Sequence, residues 1–466
     1  MVFADVDCDG CTSCAIIYRY LKNYTDNIVY NINNGKKHGV KDYDLSLLTD
    51  IDIMIIVDSM NNVEDYKHIL ETGVQVIVLD HHKLCEGVED CGIVLVSSAN
   101  DYPNPQLSGA GVCWKFCKYL DELTLNDYAD DLVDLATCGI IADMCEVGIN
   151  NVENRAICNL GFNNQKNLGI KKINGSYEFN AQAVSFGIAT LVNAACRTFQ
   201  DEKAVKIFLS DDIKEVNSLI KELKQAKEIQ NVEVSEKMPE IEAQYIGQEN
   251  NRVLLFIIES DLDITGLVGN KLIEKYQRPL FVLRYRENTN TYAGSARGIG
   301  IDDFKTLVDS TNLAISGGHP NAFGVEFNAD DKDKLITKLN KTLSNVEFVN
   351  KRDIDIQLSA GQISSNVINT LKNINRVSGE GFKPVTVMVD DIEKYTVSTM
   401  SDGKHLKINC DWFTAIKWNY SGNIEEFDNE TIPKKLSFVG QLDANFFGRT
   451  YTRQLIIDDY RIEEFE

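Results

Sequence analysis

The chain has 466 residues, is 44% apolar and 25% charged, and carries a formal net charge of −23 and twelve cysteines. That length can bury more than one core and predicts roughly three domains at ~100–200 residues each. No run approaches the ~18 apolar residues of a membrane span, no signal-peptide pattern opens the chain, and the cysteines sit inside helix-like and strand-like patterns, so a cytoplasmic enzyme with reduced thiols is expected.

In chain order, the apolar residues 1–4 lead into Asp5-Val6-Asp7-Cys8-Asp9-Gly10, three acids on alternate positions followed by a glycine turn, and then a helix pattern from Thr12 to Leu21. The apolar run 51–57 ends in Asp58. Val76-Ile77-Val78-Leu79 runs straight into Asp80-His81-His82, and residues 74–82 read as a buried parallel strand whose carboxyl end delivers ligands to a cleft. The mostly apolar run 132–142 reaches Asp143. Residues 1 to about 195 alternate strand runs with amphipathic helices, which predicts a doubly wound parallel sheet. From about Asp201 to Glu240 the composition turns charged and helical, and Ile213, Val216, Ile220 and Leu223 at 3-4-3 spacing predict a connecting helix with one buried stripe. Residues 253–258 and 280–283 begin a second, smaller α/β domain that ends near Phe348. Five short strand runs, 385–389, 405–410, 415–419, 436–439 and 454–458, then fit a C-terminal β-barrel of OB type.

A lone aspartate closing a strand is more often a turn former or helix cap than a ligand, and an isolated His-His pair is usually surface or core. Four such ends in one chain point elsewhere. Asp7, Asp9, Asp58, His81 and Asp143 form an oxygen-rich set with one imidazole, which suits Mg²⁺ or Mn²⁺ more than structural zinc. Two such ions ~3.5–4 Å apart would activate a water and clamp an in-line displacement at phosphorus, so phosphoester hydrolysis is the expected reaction. Cys8, Cys11 and Cys14 have zinc-like spacing but no fourth ligand nearby, and packing is the expected role.

The segments Asp5-Val6-Asp7-Cys8-Asp9-Gly10, Val57-Asp58, Asp80-His81-His82 and Ala142-Asp143-Met144 resemble the four signature motifs of the DHH phosphoesterases. Further segments resemble the RecJ single-strand exonucleases within that superfamily: Gly109-Ala110-Gly111-Val112, Phe186-Gly187-Ile188 with Asn193-Ala194-Ala195-Cys196-Arg197, Gly266-Leu267-Val268-Gly269, Gln277-Arg278-Pro279, Ser295-Ala296-Arg297 and Gly317-Gly318-His319-Pro320. Gly379-Glu380-Gly381-Phe382, Lys404-His405-Leu406-Lys407, Ala415-Ile416-Lys417-Trp418 and Val439-Gly440-Gln441-Leu442 are similar to strands of the RecJ OB domain. The resemblance implies a DHH catalytic domain over residues 1–195, a connecting helix over 196–240, a DHH-associated substrate-binding domain over 241–348 and an OB-fold over 349–466.

It also implies roles. Asp58 bridges two Mn²⁺ or Mg²⁺ ions, with Asp7 on one and Asp9, His81 and Asp143 on the other, while Asp5, Asp80 and His82 orient ligands or meet the phosphate. Asp80, His81 and His82 form the catalytic motif. Arg197, Ser295, Arg297, Gly317, Gly318 and His319 hold the substrate phosphate. The implied activity is degradation of single-stranded DNA to nucleotides, with 5′→3′ polarity. A DHH nano-oligonucleotidase or phosphatase, a non-catalytic RecJ-derived replication scaffold and a single-strand binding module are the alternatives. Three departures from the family pattern stand out: Phe3 where many DHH enzymes have a histidine, which implies that one metal leans on Asp5 or water as a ligand instead, a chain that opens almost at the first motif and so has a very short first strand, and Cys196 where a glycine is expected.

The charge is unevenly spread. Residues 1–160 hold 26 acids against 10 bases, a net of −16 that leaves −7 for the other 306 residues. Bound cations would neutralise part of it. DNA must be gripped from elsewhere, with Arg197, Arg278, Arg284, Arg286, Arg297, Lys404, Lys407, Lys417, Arg449 and Arg453 as the available phosphate partners. Weak affinity for duplex DNA follows, and a single-strand binding protein or replication/repair protein is a candidate loading partner. Trp412, Phe413, Trp418, Tyr420, Phe446 and Phe447 are the aromatics that could stack bases or pack.

Overall fold

The structure, a computed structural model, describes residues 1–32, 39–41, 43–348, 353–420, 422–428, 432–447 and 450–464. Gly448, Arg449 and the side chains of Phe446 and Phe447 lie outside the described residues.

The first sheet contains β1 (Val2–Ala4), β2 (Tyr30–Ile32), β3 (Ile53–Val57), β4 (Gln75–Asp80) and β5 (Val94–Ser97), all parallel, in the order β2-β1-β3-β4-β5. Side chains alternate between two cores because successive strand residues point to opposite faces. Ala4, Ile55, Val57 and Leu79 pack under helices α1 (Cys8–Leu21), α3 (Gly109–Thr124) and α4 (Val133–Ala142). Phe3, Met54, Ile56, Val76 and Val78 face Tyr66 and Ile69 of α2 (Val63–Glu71). Burial on both faces accounts for strands that read as unbroken apolar runs. The chain reverses its direction of winding between β1 and β3, and open parallel sheets keep their ligands at the carboxyl ends beside such a switch. Asp7 and Asp58 follow those two strands.

Helices α5 (Val152–Asn163), α6 (Leu168–Asn174), α7 (Ala189–Arg197) and α8 (Asp201–Leu209) complete this unit, with a π-helical turn at Ala183–Ile188 running into α7. The charged segment after Asp201 is two helices rather than one. Its second, α9 (Ile213–Ala243), has 31 residues and spans roughly 46 Å at 1.5 Å per residue. Val216, Leu219, Leu223 and Ala226 pack into the first core, whereas Val234 and Ile241 pack into the next. Ile213, expected on the buried stripe, is 54% exposed because it is the first residue of α9 and precedes the contact with α6–α8.

The second sheet contains β6 (Leu254–Ile257), β7 (Leu280–Arg286), β8 (Thr291–Arg297), β9 (Ile315–His319) and β10 (Ala322–Asn328), in the order β6-β7-β8-β10-β9. Only β6 and β7 pair parallel. Helices α10 (Thr265–Tyr276), α11 (Phe304–Asp309) and α12 (Lys332–Thr342) cover it. The third sheet has seven strands where five were expected: β11 (Ile356–Leu358), β12 (Val387–Ile392), β13 (Tyr395–Met400), β14 (His405–Cys410), β15 (Thr414–Lys417), β16 (Lys434–Phe447) and β17 (Thr450–Glu464). Strand β13 alternates exposed with half-buried residues and so lacks an apolar run. Helix α13 (Ser365–Asn375) packs against β16, and the segment after it returns to the first unit. Arg376 bonds Phe162 and Asn163, Val147 N–H donates to the Glu380 carbonyl at 2.9 Å, and the Arg155 guanidinium lies 4.5 Å from the Phe382 ring centre.

A candidate metal centre at the carboxyl edge of the first sheet

Helix α1 begins at Cys8, four residues earlier than the sequence pattern placed it, so the alternate acids are not an extended segment. Asp7 is the N-cap, its side chain accepting from Gly10 N–H at 2.9 Å, and Asp9 lies in the first helical turn. The two Asp9 oxygens accept from Gly109 N–H at 2.7 Å and Ala110 N–H at 3.0 Å, so the amino end of α3 orients that carboxylate. Asp58 follows β3 with φ +54°, and Asp143 caps the carboxyl end of α4. Glycine is required where helices crowd these acids. A Cβ on Gly109 would fall 2.5 Å from Asp58 Oδ1, and one on Gly139 would strike Asp9 Oδ1 still closer.

These ends converge on one nitrogen. His81 Nε2 lies 3.2 Å from Asp58 Oδ1, 3.8 Å from Asp143 Oδ2 and 3.9 Å from Asp9 Oδ2. The contact with Asp58 lacks hydrogen-bond geometry, so among the described residues the buried Asp58 Oδ1 has no hydrogen-bond partner, and neither has Asp80 Oδ2. Burial, followed by repulsion from Asp5 and Asp9, raises the Asp7 carboxyl to about 6, and burial with Asp9 and Asp7 raises Asp143 to about 8. Asp58 is raised well above the ordinary carboxylate range by burial and by Asp9. Burial depresses His81 against the pull of Asp9. In His82, burial is outweighed by a 2.8 Å hydrogen bond from Nδ1 to Asp80, which lifts the imidazole to about 9. Asp5 is buried beside Asp7 at the end of β1. Crowded buried carboxylates with unmade bonds and raised pKa values need a cation, and an oxygen-rich set with one imidazole fits Mg²⁺ or Mn²⁺.

Phe3 is fully buried on the opposite face of the sheet, edge-on to Tyr43 at 5.4 Å, so that position supplies no nitrogen. Cys8, Cys11 and Cys14 are buried in α1 and belong to neither metal-ligand grouping among the described residues. Cys196 is buried on α7.

The substrate candidates lie on neighbouring elements. Arg197 ends α7, its Nη1 3.5 Å from Gln230 Oε1 of α9. Arg297 ends β8 and is held by Asn270 Oδ1 at 2.6 Å and by the carbonyls of Ala296 and Gly266. Burial lowers both guanidinium pKa values, and the Arg197 charge lowers Arg297 further, while Asp263 and Asp7 pull Arg197 upward. The two arginines thus feel each other's charge, and Arg197 also feels that of Asp7. Ser295 and Arg297 lie within β8, and Ser295 shares a 2.9 Å hydroxyl contact with Thr265. Gly317, Gly318 and His319 lie exposed in the edge strand β9. Gly318 has φ +122°, a Cβ on Gly317 would meet nothing within 4 Å, and the His319 charge is felt at His81. Other basic candidates are already engaged: Arg278 with the carbonyls of Glu249 and Asn251, Arg284 with Asp263, Arg286 with Glu326, Lys417 with the Asp458 carbonyl and Arg453 with the Ile363 carbonyl. Sequence reasoning missed Asn193, which accepts from Cys8 N–H at 2.9 Å and braces the α1 terminus, although it stands in the Asn-Ala-Ala-Cys-Arg segment. It also missed Cys145, whose Sγ lies 3.5 Å from Asp143 Oδ2.

Residues 1–142 match the DHH family, N-terminal domain, and residues 354–459 match the RecJ OB domain. The chain is similar to the RecJ-type DHH proteins. The RecJ-like chain is 28% identical over 91% of its length to YorK of Bacillus subtilis (strain 168), an SPbeta prophage-derived protein named provisionally as a single-strand DNA-specific exonuclease, and spans 78% of that relative. It is 26% identical over its whole length to the single-stranded-DNA-specific exonuclease RecJ of the same organism, covering 62% of it. Among solved structures, RecJ of Thermus thermophilus in complex with Mn²⁺ matches 99% of the RecJ-like chain and 68% of its own, with a TM-score of 0.78 and 21% identity, a likeness of fold.

Proposed function

We propose that this chain is a metal-dependent exonuclease that hydrolyses terminal phosphodiesters of single-stranded DNA, working 5′→3′ and releasing nucleotides. The observation that carries the reading is the convergence of Asp9, Asp58 and Asp143 within 4 Å of His81 Nε2. Relatives named as single-strand-specific exonucleases, one of them solved with Mn²⁺, support it.

Asp58, with Asp7 on one side and Asp9, His81 and Asp143 on the other, would hold two divalent ions, Mn²⁺ or Mg²⁺. Bound there, the ions supply the positive charge that offsets the acids and lowers the pKa of water enough for hydrolysis at neutral pH. The Gly109 and Ala110 amides keep Asp9 aimed. Asp80 holds Nδ1 of His82, so the protonated ring keeps Nε2 for a phosphate oxygen. Arg197 and Arg297 bind the terminal phosphate, with Ser295 and His319 beside it. Gly317 and Gly318 let the backbone approach an anion closely. Trp412 and Trp418, 56% and 50% exposed in the bends on either side of β15, are the described rings left to stack bases, whereas Phe413 and Tyr420 are buried.

A cytoplasmic setting, with a single-strand binding or replication/repair protein to load the enzyme, belongs to the same proposal. No described helix is long and apolar enough to cross a membrane. Strands labelled at either end and incubated with Mn²⁺ test the reading. Stepwise release beginning at the 5′ end, abolished by chelator, is expected. Release confined to very short strands would instead indicate an oligonucleotidase, and binding without any release a scaffold.

A further inference from the structure

Resting on the metal-centre reading above, we infer that Cys145 adds a thiolate to one side of the centre, so that this position binds a thiophilic divalent cation, Zn²⁺ or Cd²⁺, more tightly than an all-oxygen set would. Cys145 stands two residues past Asp143. Between them Met144 takes φ +55° and turns its side chain out to 53% exposure, while Cys145 is 5% exposed. The cysteine Sγ lies 3.5 Å from Asp143 Oδ2, and ligand atoms of His81, Asp143 and Cys145 all fall within 4.8 Å of one another.

A tetrahedral ion with bonds of ~2.0 Å to N or O and ~2.3 Å to S separates its ligand atoms by roughly 3.3–3.6 Å. The Asp143–Cys145 spacing already meets that figure, and the His81–Asp143 spacing of 3.8 Å nearly does. Asp58 Oδ1, 3.2 Å from the same His81 nitrogen, falls outside the His81–Asp143–Cys145 grouping, so the fourth position is one that water can take. One nitrogen, one oxygen and one sulfur are a set for a borderline or soft cation, whereas Mn²⁺ and Mg²⁺ draw little from sulfur. When the metal–sulfur bond forms, the thiol proton leaves to solvent. The position would therefore carry Mn²⁺ when hard cations dominate and be captured by Zn²⁺ or Cd²⁺ when they are present.

The test titrates the metal-free full chain with Co²⁺, following sulfur-to-cobalt charge-transfer absorption, and with Cd²⁺ and Mn²⁺ by calorimetry. It compares the wild type, Cys145→Val, Cys145→Ser, and a Cys85→Ser/Cys91→Ser/Cys410→Ser variant that removes the half-buried thiols elsewhere. The band is expected in the wild type and the triple variant, and in neither Cys145 variant. Cys145→Ser, which keeps the side-chain volume, carries the test if Cys145→Val fails to fold. Changing an outer-shell group already costs ~10–100-fold in metal affinity, so losing this ligand should raise the Cd²⁺ Kd at least about tenfold. The Mn²⁺ Kd should move less than about threefold. No band in the wild type, or a band that survives in the Cys145 variants, overturns the inference. Mn²⁺ binding without a sulfur band would leave the centre standing and sink only the thiolate. Failure to bind any of the three ions would sink both.

Discussion

Asp58 holds a left-handed backbone, a conformation that costs a non-glycine residue ~1–2 kcal/mol and that aspartate tolerates better than most. That strain aims a buried, incompletely bonded carboxylate at His81. The raised carboxyl pKa values fix how the metal-free protein responds to pH. Near pH 5 these groups keep their protons. As pH climbs through about 6 for Asp7 and about 8 for Asp143, ionisation costs more in the folded chain than in the unfolded one, where carboxyl pKa values lie near ~4. The melting temperature without metal should therefore fall from pH 5 to pH 8.5, and saturating Mn²⁺ should raise it most at the alkaline end; calorimetric scans across that range check this, and a metal-free protein equally stable at both ends contradicts it. Replacing Arg197 by alanine removes charge-assisted bonds worth ~1.5–3 kcal/mol and should raise KM for DNA roughly 10–100-fold. Steady-state kinetics at fixed salt decide that.

The sequence carried the acids at the element scale because each closes an apolar run: Asp58 just after β3, Asp80 as the last residue of β4, Asp143 just after α4. It carried the start of α1 less well. Asp5, Asp7 and Asp9 alternate like a strand, yet Asp7 is a cap and Asp9 is drawn to the amides of α3, a contact across 100 residues that no local pattern contains. Long polar strands such as β16 and β17 were legible only as their short apolar centres. The approach of α3 to Asp58 yields a prediction at this scale. Gly109→Ala must push Asp58 aside, so it should cost ~1–3 kcal/mol by overpacking. Denaturant unfolding measures that loss, and Mn²⁺ affinity should fall with it; a variant that keeps both shows that the close approach is slack.

Over the whole molecule, the chain forms three separate sheets, the first of them in an acidic unit. Helix α9 enters two cores, and the Arg376–Phe382 segment ties the third unit back to α5 and Val147. Which basic residues stay available could not be read from sequence, because Arg278, Arg284 and Arg286 are taken up by partners distant along the chain or on other strands. For the third sheet, replacing Trp412 and Trp418 together by alanine should weaken binding of long strands by ~1–3 kcal/mol per lost stack and leave very short strands nearly unaffected. Equal losses at every length would place the rings outside the DNA path.

Asp58 stands at the middle of the proposed metal site, 3.2 Å from His81, so DNA cleavage should depend on its charge. The most direct measurement follows 5′-labelled single strands with Mn²⁺ in the wild type and in Asp58→Asn, alongside strand binding in both. Nucleotide release by the wild type, with binding but no release by the folded variant, is the predicted result. Release by Asp58→Asn at the wild-type rate would contradict it.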